Sequence, residues 1–311
     1  MTARVAVGVD VGGTKLLAVA VGADGEVVDE LKVATPAGAD GVVDAIVDIA
    51  ESWGDHLPVG LGIAGLVDRD GVLRVSPNLP RITSYPFRAR LADRLGVPVT
   101  VDNDATVATW GELRAGAAKG ASDALFVGLG TGIGGGVVSG GVLQRGASGF
   151  AGEAGHMVVD PHGPVCPCGR RGCWERFASG TGLGRLAREA AEAGQAPRLV
   201  ELAGGDCELV RGEHVAVAAA DGDGPALDVV WEFAWWVAVG VANLVNVLDP
   251  EVVVIGGGLA EMGDVLLDPV RSRYQELVLA PEHRPAVPIV AAQLGEHAGA
   301  IGAALLAGDL R

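Results

Sequence analysis

Gly155-His156 is followed by Cys166-Pro-Cys168-Gly-Arg-Arg-Gly-Cys173-Trp-Glu175. Three of the four cysteines in the chain fall here, spaced C-x-C-x4-C, with a histidine upstream. Thiolate sulfur with one imidazole nitrogen is a donor mix that zinc favours, and four protein ligands close a structural site. His156, Cys166, Cys168 and Cys173 are therefore the expected Zn2+ ligands, and a closed set leaves no open position for a catalytic metal. Two carboxylates, Glu153 and Glu175, flank the cluster. The metal reads as a pin that holds a polar site in place. Cys207 stands apart from the cluster, and nothing in the sequence gives it a role.

A second group of residues suits phosphate. Asp10-Val-Gly12-Gly13-Thr14-Lys15 combines a carboxylate, a bare turn, a hydroxyl and an ammonium. Glycines let backbone N–H groups approach phosphate oxygens, and Asp10 can hold Mg2+ or its water shell. The spacing is not that of a Walker A loop. Gly130-Thr131-Gly132-Ile-Gly134-Gly135-Gly136 holds more glycine than one turn needs and is a second candidate. Gly256-Gly257-Gly258 is a third place where a base or ribose can lie on backbone. Asp102-Asn103-Asp104 offers a carboxylate that can take a proton from a hydroxyl while an amide orients it. The same tripeptide also reads as a helix N-cap, and the two readings can hold for different residues.

The elements that must position these groups follow from periodicity. Strands are expected over 5–9, 16–21, 26–33, 59–63, 97–101, 124–129 and 251–255. Helices are expected over 40–52, 105–110, 227–248 and 299–307. Strand, Gly-Thr turn, strand occurs at both 5–21 and 124–138. This predicts an internal duplication: two lobes, each opening with a hairpin whose turn faces a shared cleft. The expected division is a small α/β domain of residues 1–110, completed by a C-terminal helix of 300–311, and a large α/β domain of 111–299 with the zinc loop. Residues 204–224, rich in charge and glycine, read as a surface excursion.

Composition narrows the function classes. The chain has 311 residues, of which 49% are hydrophobic, enough for a sizeable core. A net charge of −16 argues against non-specific nucleic-acid binding and against docking on anionic membranes. No secretory signal is expected at the start, and the cysteine usage fits a reducing cytoplasm. The apolar run 227–248 is long enough to flag as a membrane span. Asp228, Glu232, Asn243 and Asn246 interrupt it without a basic flank, so a buried core or interface helix is expected.

Taken together these motifs resemble the ROK family (repressors, open reading frames and kinases) of the actin-like sugar-kinase superfamily. The resemblance runs from Asp10 to about Ala304. Asp10–Lys15 looks like the first phosphate motif, Gly130–Gly136 like the second, and Val253–Gly258 like the adenosine motif. The Gly155–Glu175 run is the family signature. The ending Ala292-Gln-Leu-Gly295-x-x-Ala298-Gly299 is similar to that of the zinc-containing actinobacterial glucokinases. The resemblance implies an α/β, actin-like (hexokinase-like, ribonuclease H-like) two-lobed fold with an interlobe cleft. It implies ATP-dependent phosphorylation of glucose at the 6-hydroxyl. Asp104 would be the general base. Asn103, Glu153, His156 and Glu175 would bind the sugar hydroxyls, with Gly65 and Asn78 lining the pocket. His156 would bind zinc through one ring nitrogen and face the sugar with the other. Asp10, Gly12, Gly13, Thr14, Lys15, Thr131, Gly132 and Gly257 would meet the nucleotide and its Mg2+. A homodimer or homotetramer is implied as well.

Two departures stand out. Asp102 occupies a place where the family often has Glu, and Asn78-Leu-Pro-Arg-Ile-Thr lacks a frequent aromatic. Competing readings are another hexose or an N-acetylhexosamine as acceptor, polyphosphate as donor, a silent sugar-binding protein, and a sugar-responsive transcription regulator. The last would carry a helix-turn-helix ahead of Asp10, where nine residues stand here.

Overall fold

Among the described residues two sheets of five strands carry the fold, and both have the same strand order. The structure is a computed structural model that describes residues 4–23, 25–54, 56–79 and 81–309. Asp24 of the first turn, Pro80, and the last two residues of the expected C-terminal helix lie outside that set.

The first sheet is built from β1 (Ala6–Val11), β2 (Lys15–Val21), β3 (Val27–Ala34), β4 (Val59–Ile63) and β7 (Val99–Asn103), in the order β3-β2-β1-β4-β7. β1 to β3 form an antiparallel meander, and β4 and β7 add in parallel beside β1. Helix α1 (Gly38–Trp53) links β3 to β4. The short pair β5 (Leu66–Val67) and β6 (Leu73–Val75) and helix α2 (Phe87–Leu95) lead to β7, and α3 (Asp104–Ala115) follows it. The second sheet repeats the order with β8 (Ala124–Leu129), β9 (Ile133–Ser139), β10 (Val142–Leu143), β11 (Val252–Gly256) and β12 (Ile289–Ala291), as β10-β9-β8-β11-β12. Five helices precede β11: α4 (Glu175–Ala178), α5 (Gly180–Glu192), α6 (Pro197–Leu202), α7 (Gly212–Ala220) and α8 (Gly224–Leu248). Helix α9 (Asp264–Leu277) precedes β12, and α10 (Ala298–Gly308) closes the chain. The matching orders are the duplication that the two Gly-Thr hairpins predict.

The chain divides into two compact units. One comprises Met1–Phe126, Gly135–Gly152 and Ala292–Arg311; the other comprises Val127–Gly134 and Glu153–Ala291. The boundary expected at residue 110 falls inside α3, one continuous helix of the first unit. The reason is packing. Buried Glu112 of α3 accepts the N–H groups of Gln293 (3.1 Å) and Leu294 (2.8 Å), which ties the segment before α10 to the first unit. Helix α10 lies directly on the backbone of the first sheet. A Cβ at Gly8 or Gly60 would strike the carbonyl oxygens of Ala300 and Ala303. Val7, Val9, Leu61, Ile63 and Ile46 fill the core between sheet and α1.

Two other expectations change. Strand β7 runs two residues further than its apolar pattern, so Asp102 and Asn103 belong to it. Residues 204–224 are not only a surface excursion. Helix α7 lies within them, with Val215 and Ala218 fully buried, because its alanines and valines give it one packed face. Helix α8 is long and apolar enough to cross a membrane by length and composition, yet 56% of that stretch is buried inside the protein. Val230, Phe233, Val237 and Val241 are among its fully buried residues, as a core helix requires.

Candidate active site and metal centre

The first unit gathers the acids. Asp10 stands near the end of β1, and Asp104 opens α3 right after β7, two strands away in the sheet. Gly62 of β4 lies between them. A Cβ there would sit 3.6 Å from the Asp104 Cα and 3.7 Å from Asp10 Oδ1. Burial pushes the Asp10 carboxyl up to about 7, and the charge of Asp104 adds to this, against Lys15. Burial also raises Asp104, opposed by the Ala105 N–H (2.9 Å) and by Asn103. A carboxylate held above its ordinary range is suited to accept a proton near neutral pH. Gly299, near the start of α10, leaves room for the Asp10 head. A Cβ there would lie 2.8 Å from Asp10 Cγ.

Asn103 is the N-cap of α3. Its Oδ1 accepts the Thr106 N–H (3.1 Å), and its Nδ2 donates to the Gly65 carbonyl (3.1 Å). The same side chain also hydrogen-bonds Asp104, so Asn103 ties the Gly65 carbonyl, the α3 N-terminus and the Asp104 carboxylate together. Gly65 has φ of 135°, and a Cβ there would run into Val75 O, so only glycine presents its carbonyl this way. Asn78 lies on the first phosphate turn. A Cβ at Gly13 would come within 2.8 Å of the Asn78 carbonyl.

The turn itself is partly spoken for. Gly12 N–H donates to Lys15 O (3.0 Å), which closes the hairpin, and Thr35 Oγ1 donates to Gly12 O (2.7 Å). Lys15, expected on a phosphate, has its Nζ 2.7 Å from Glu296, which also takes Lys32 at 2.8 Å. Its ammonium is engaged because it begins β2 on the side where Glu296 approaches. Gly13 and Thr14 remain as the tip of the turn.

The second unit gathers the metal donors and two more carboxylates. Residues 157–174 form neither helix nor strand, so something other than backbone ladders must order them. His156 Nδ1, Cys166 Sγ, Cys168 Sγ and Cys173 Sγ lie within 4.8 Å of one another. The Cys168–Cys173 sulfurs are 3.6 Å apart, and Cys166 Sγ is 3.9 Å from His156 Nδ1. Tetrahedral zinc needs donor separations of about 3.5–3.8 Å, given bonds of about 2.0–2.3 Å. The donor set and its spacing therefore fit the ion. Cys168 is pulled down to about 7, mainly by the Arg170 N–H, and so leans toward the thiolate that a metal needs.

The other ring nitrogen of His156 faces away from the sulfurs. Its Nε2 is 4.0 Å from Glu153 Oε2. Glu175 joins cluster and glycine loop: its Oε1 accepts from Cys166 (3.0 Å), and its Oε2 lies 2.8 Å from where a Gly132 Cβ would be. The loop is fixed again by Gly180 N–H to Gly130 O (2.8 Å) and Thr181 Oγ1 to Thr131 O (2.8 Å). Gly257 (φ 79°) presses on the end of β8, where any side chain would meet the Leu129 backbone.

Several residues that shape these sites carry no motif. Trp174, between Cys173 and Glu175, is fully buried, seated over Gly240, and its Nε1 donates to Trp236 O (2.7 Å). Its place beside a ligand cysteine was the only signal. Glu112 and Arg145 give no local signal at all.

The ROK family model matches residues 6–309. The glucokinase of Streptomyces coelicolor is 40% identical over 307 residues, covering 97% of this chain and 96% of that protein. The N-acetylmannosamine kinase of Escherichia coli is 36% identical over 308 residues, covering 96% and 97%. Among solved structures, a ROK family glucokinase from Streptomyces griseus in complex with glucose and AMPPNP is 41% identical. It aligns with a TM-score of 0.85 over 97% of this chain and 98% of its own.

Proposed function

The chain belongs to the ROK family, and from that premise we propose that it transfers the terminal phosphoryl group of ATP to the 6-hydroxyl of glucose. The observation that carries this reading is the end-to-end similarity to a glucokinase that binds glucose and an ATP analogue. The acids and glycine loops on which such chemistry depends are all present in this chain.

Phosphoryl transfer asks for positioning and charge stabilisation more than covalent work. Asp104 takes the proton from the attacking hydroxyl, and its raised affinity for protons serves that step. Asn103, beside Asp104, is the amide that orients the sugar. Glu153, His156 Nε2 and Glu175 accept from or donate to its hydroxyls, with Gly65 and Asn78 beside them. A sugar missing one hydroxyl leaves such an acceptor unpaired and is rejected. Gly12, Gly13, Thr14, Thr131 and Gly132 approach the donor phosphates, and Gly257 the nucleoside. Mg2+ carried with ATP supplies charge neutralisation, and Asp10 is the carboxylate suited to hold it or its waters. His156, Cys166, Cys168 and Cys173 would hold a structural Zn2+, which would fix the loop and supply no chemistry. The reading extends to a cytoplasmic homodimer or homotetramer, in keeping with four unbridged cysteines.

A second acceptor, N-acetylmannosamine, is favoured by the similarity to a kinase of that name. A coupled assay over a sugar panel, with ATP and with polyphosphate, separates the readings. Glucose with ATP is expected to give the highest kcat/KM. A higher value for N-acetylmannosamine overturns the choice of acceptor, and one for polyphosphate the choice of donor.

A further inference from the structure

Asp102 is 4% exposed, and a carboxylate buried that far needs a partner. It has two. Its Oδ2 accepts from Arg145 Nε, and its Oδ1 accepts the backbone N–H of Asn103 (3.1 Å). Asn103 in turn caps α3 through Thr106 N–H and donates to Gly65 O. The next residue is Asp104, whose own Oδ1 is held by Ala105 N–H. A line of hydrogen bonds thus runs from a guanidinium, through a buried carboxylate, into the strand-to-helix corner that presents Asp104.

Arg145 comes from the segment after β10, within the same compact unit. That segment is itself secured: Arg69 Nε donates to Gly146 O (2.7 Å), and Ala151 N–H to Arg145 O (3.2 Å). Arg145 is not required to fill the core, since it is 31% exposed along its side chain. The pair places a full positive charge on a carboxylate whose other oxygen is spent on a catalytic corner.

We infer that Arg145 is a positioning residue: through Asp102 it sets the Asn103-Asp104 corner and hence the aim of Asp104 at the hydroxyl it deprotonates. The inference rests on the kinase reading for the identity of Asp104 as base. Without Arg145, Asp102 loses the hydrogen bond on its Oδ2 and keeps only the charge of Arg69 to favour ionisation, and a carboxyl that then turns or takes a proton loosens its grip on Asn103 N–H. Misplacement of about 1 Å in a reacting group costs about 100-fold in rate, so a partial loosening is expected to cost about tenfold. Asn103 is one sugar contact among several, and Glu153, His156 and Glu175 are untouched, so the loss is expected to fall mainly on kcat.

The test is a double-mutant cycle in kcat and sugar KM with Arg145→Gln, Asp102→Ala and the double variant. Each single variant is expected to lose about tenfold in kcat, with sugar KM changed less than about threefold. The double variant is expected to lose no more than either single. Arg145→Lys, which keeps a cation but not the Nε fork, is expected to recover part of the loss and carries the test if Arg145→Gln does not fold. Kinetics are run with whichever sugar and donor the wild type turns over fastest. A wild type that prefers another sugar therefore corrects the substrate without affecting the comparison among variants. The inference is overturned if Arg145→Gln and Arg145→Lys both keep kcat within twofold, if the single losses multiply in the double variant, or if the loss falls on KM.

Discussion

The acid corner of the first unit and the cysteine loop of the second do the same job by different means. Each must hold polar side chains still. Around Asp10 and Asp104 the work is done by sheet register, by glycines that let α10 and the strands come close, and by buried acceptors such as Glu112. Residues 157–174 have no ladder or helix of their own. They rest on isolated bridges such as Val158–Cys173, on Trp174 against α8, and on four convergent donors. The lesson is that a rigid site needs either dense packing or a cross-link. A loop that must expose Glu153 and the outer edge of His156 has too little apolar surface for the first.

Changes that strike one region and spare the other break or sharpen that contrast. The largest effect is expected at Asp104. Asp104→Ala should lower kcat at least about 1,000-fold while glucose binding, read by calorimetry, changes little, because the group acts in the reacting step rather than in holding the corner. Retention of more than a few per cent of activity removes Asp104 from the role of base. Next is Trp174→Ala in the loop. It deletes a fully buried indole and is expected to cost about 3–5 kcal/mol by denaturant unfolding. Sugar KM should rise with zinc content unchanged. An unaltered KM would mean that the metal alone orders the loop.

Glu112→Ala strikes the packed region instead. It strips the acceptor from Ala117, Gln293 and Leu294 N–H, and a loss of about 3 kcal/mol is expected. Zinc content should not move. The smallest effect is a pH dependence. Asp10 holds its proton more tightly folded, up to about 7, than unfolded near 3.8. Its stabilising contribution is complete below the unfolded value and is lost as pH rises through about 7. Asp10→Asn should therefore melt with the wild type at low pH and about 2–4 °C above it beyond pH 7 in thermal scans. A difference that does not grow with pH would show that Asp10 is not desolvated.

The contrast also explains how much could be read in advance. The cysteine loop was legible because its chemistry is written in ten consecutive residues, 166–175, plus His156. Both glycine hairpins were legible for the same reason, and their repetition foretold two sheets of one order. The cap at Asn103 was legible from its place after an apolar run. The packed region hid its supports. Arg145 is 43 residues from Asp102, and Glu112 is 181 from Gln293, so neither partner leaves a local pattern. The ion pair of Lys15 was hidden in the same way, since Glu296 lies 281 residues on. The boundary at 110 failed because α3 packs forward against α10 rather than ending a domain.

The central claim is that a metal holds the sugar-reading residues while packing alone holds the chemical corner. Zinc content and glucose affinity of Cys168→Ser, measured on one sample, test it most directly. Cys168 is the exposed member of the donor cluster, and its loss removes little packing. The account predicts that the variant loses its zinc and binds glucose about tenfold or more weakly, with the melting of the remaining fold little changed. A variant that has lost its metal and binds glucose as tightly as the wild type would contradict it.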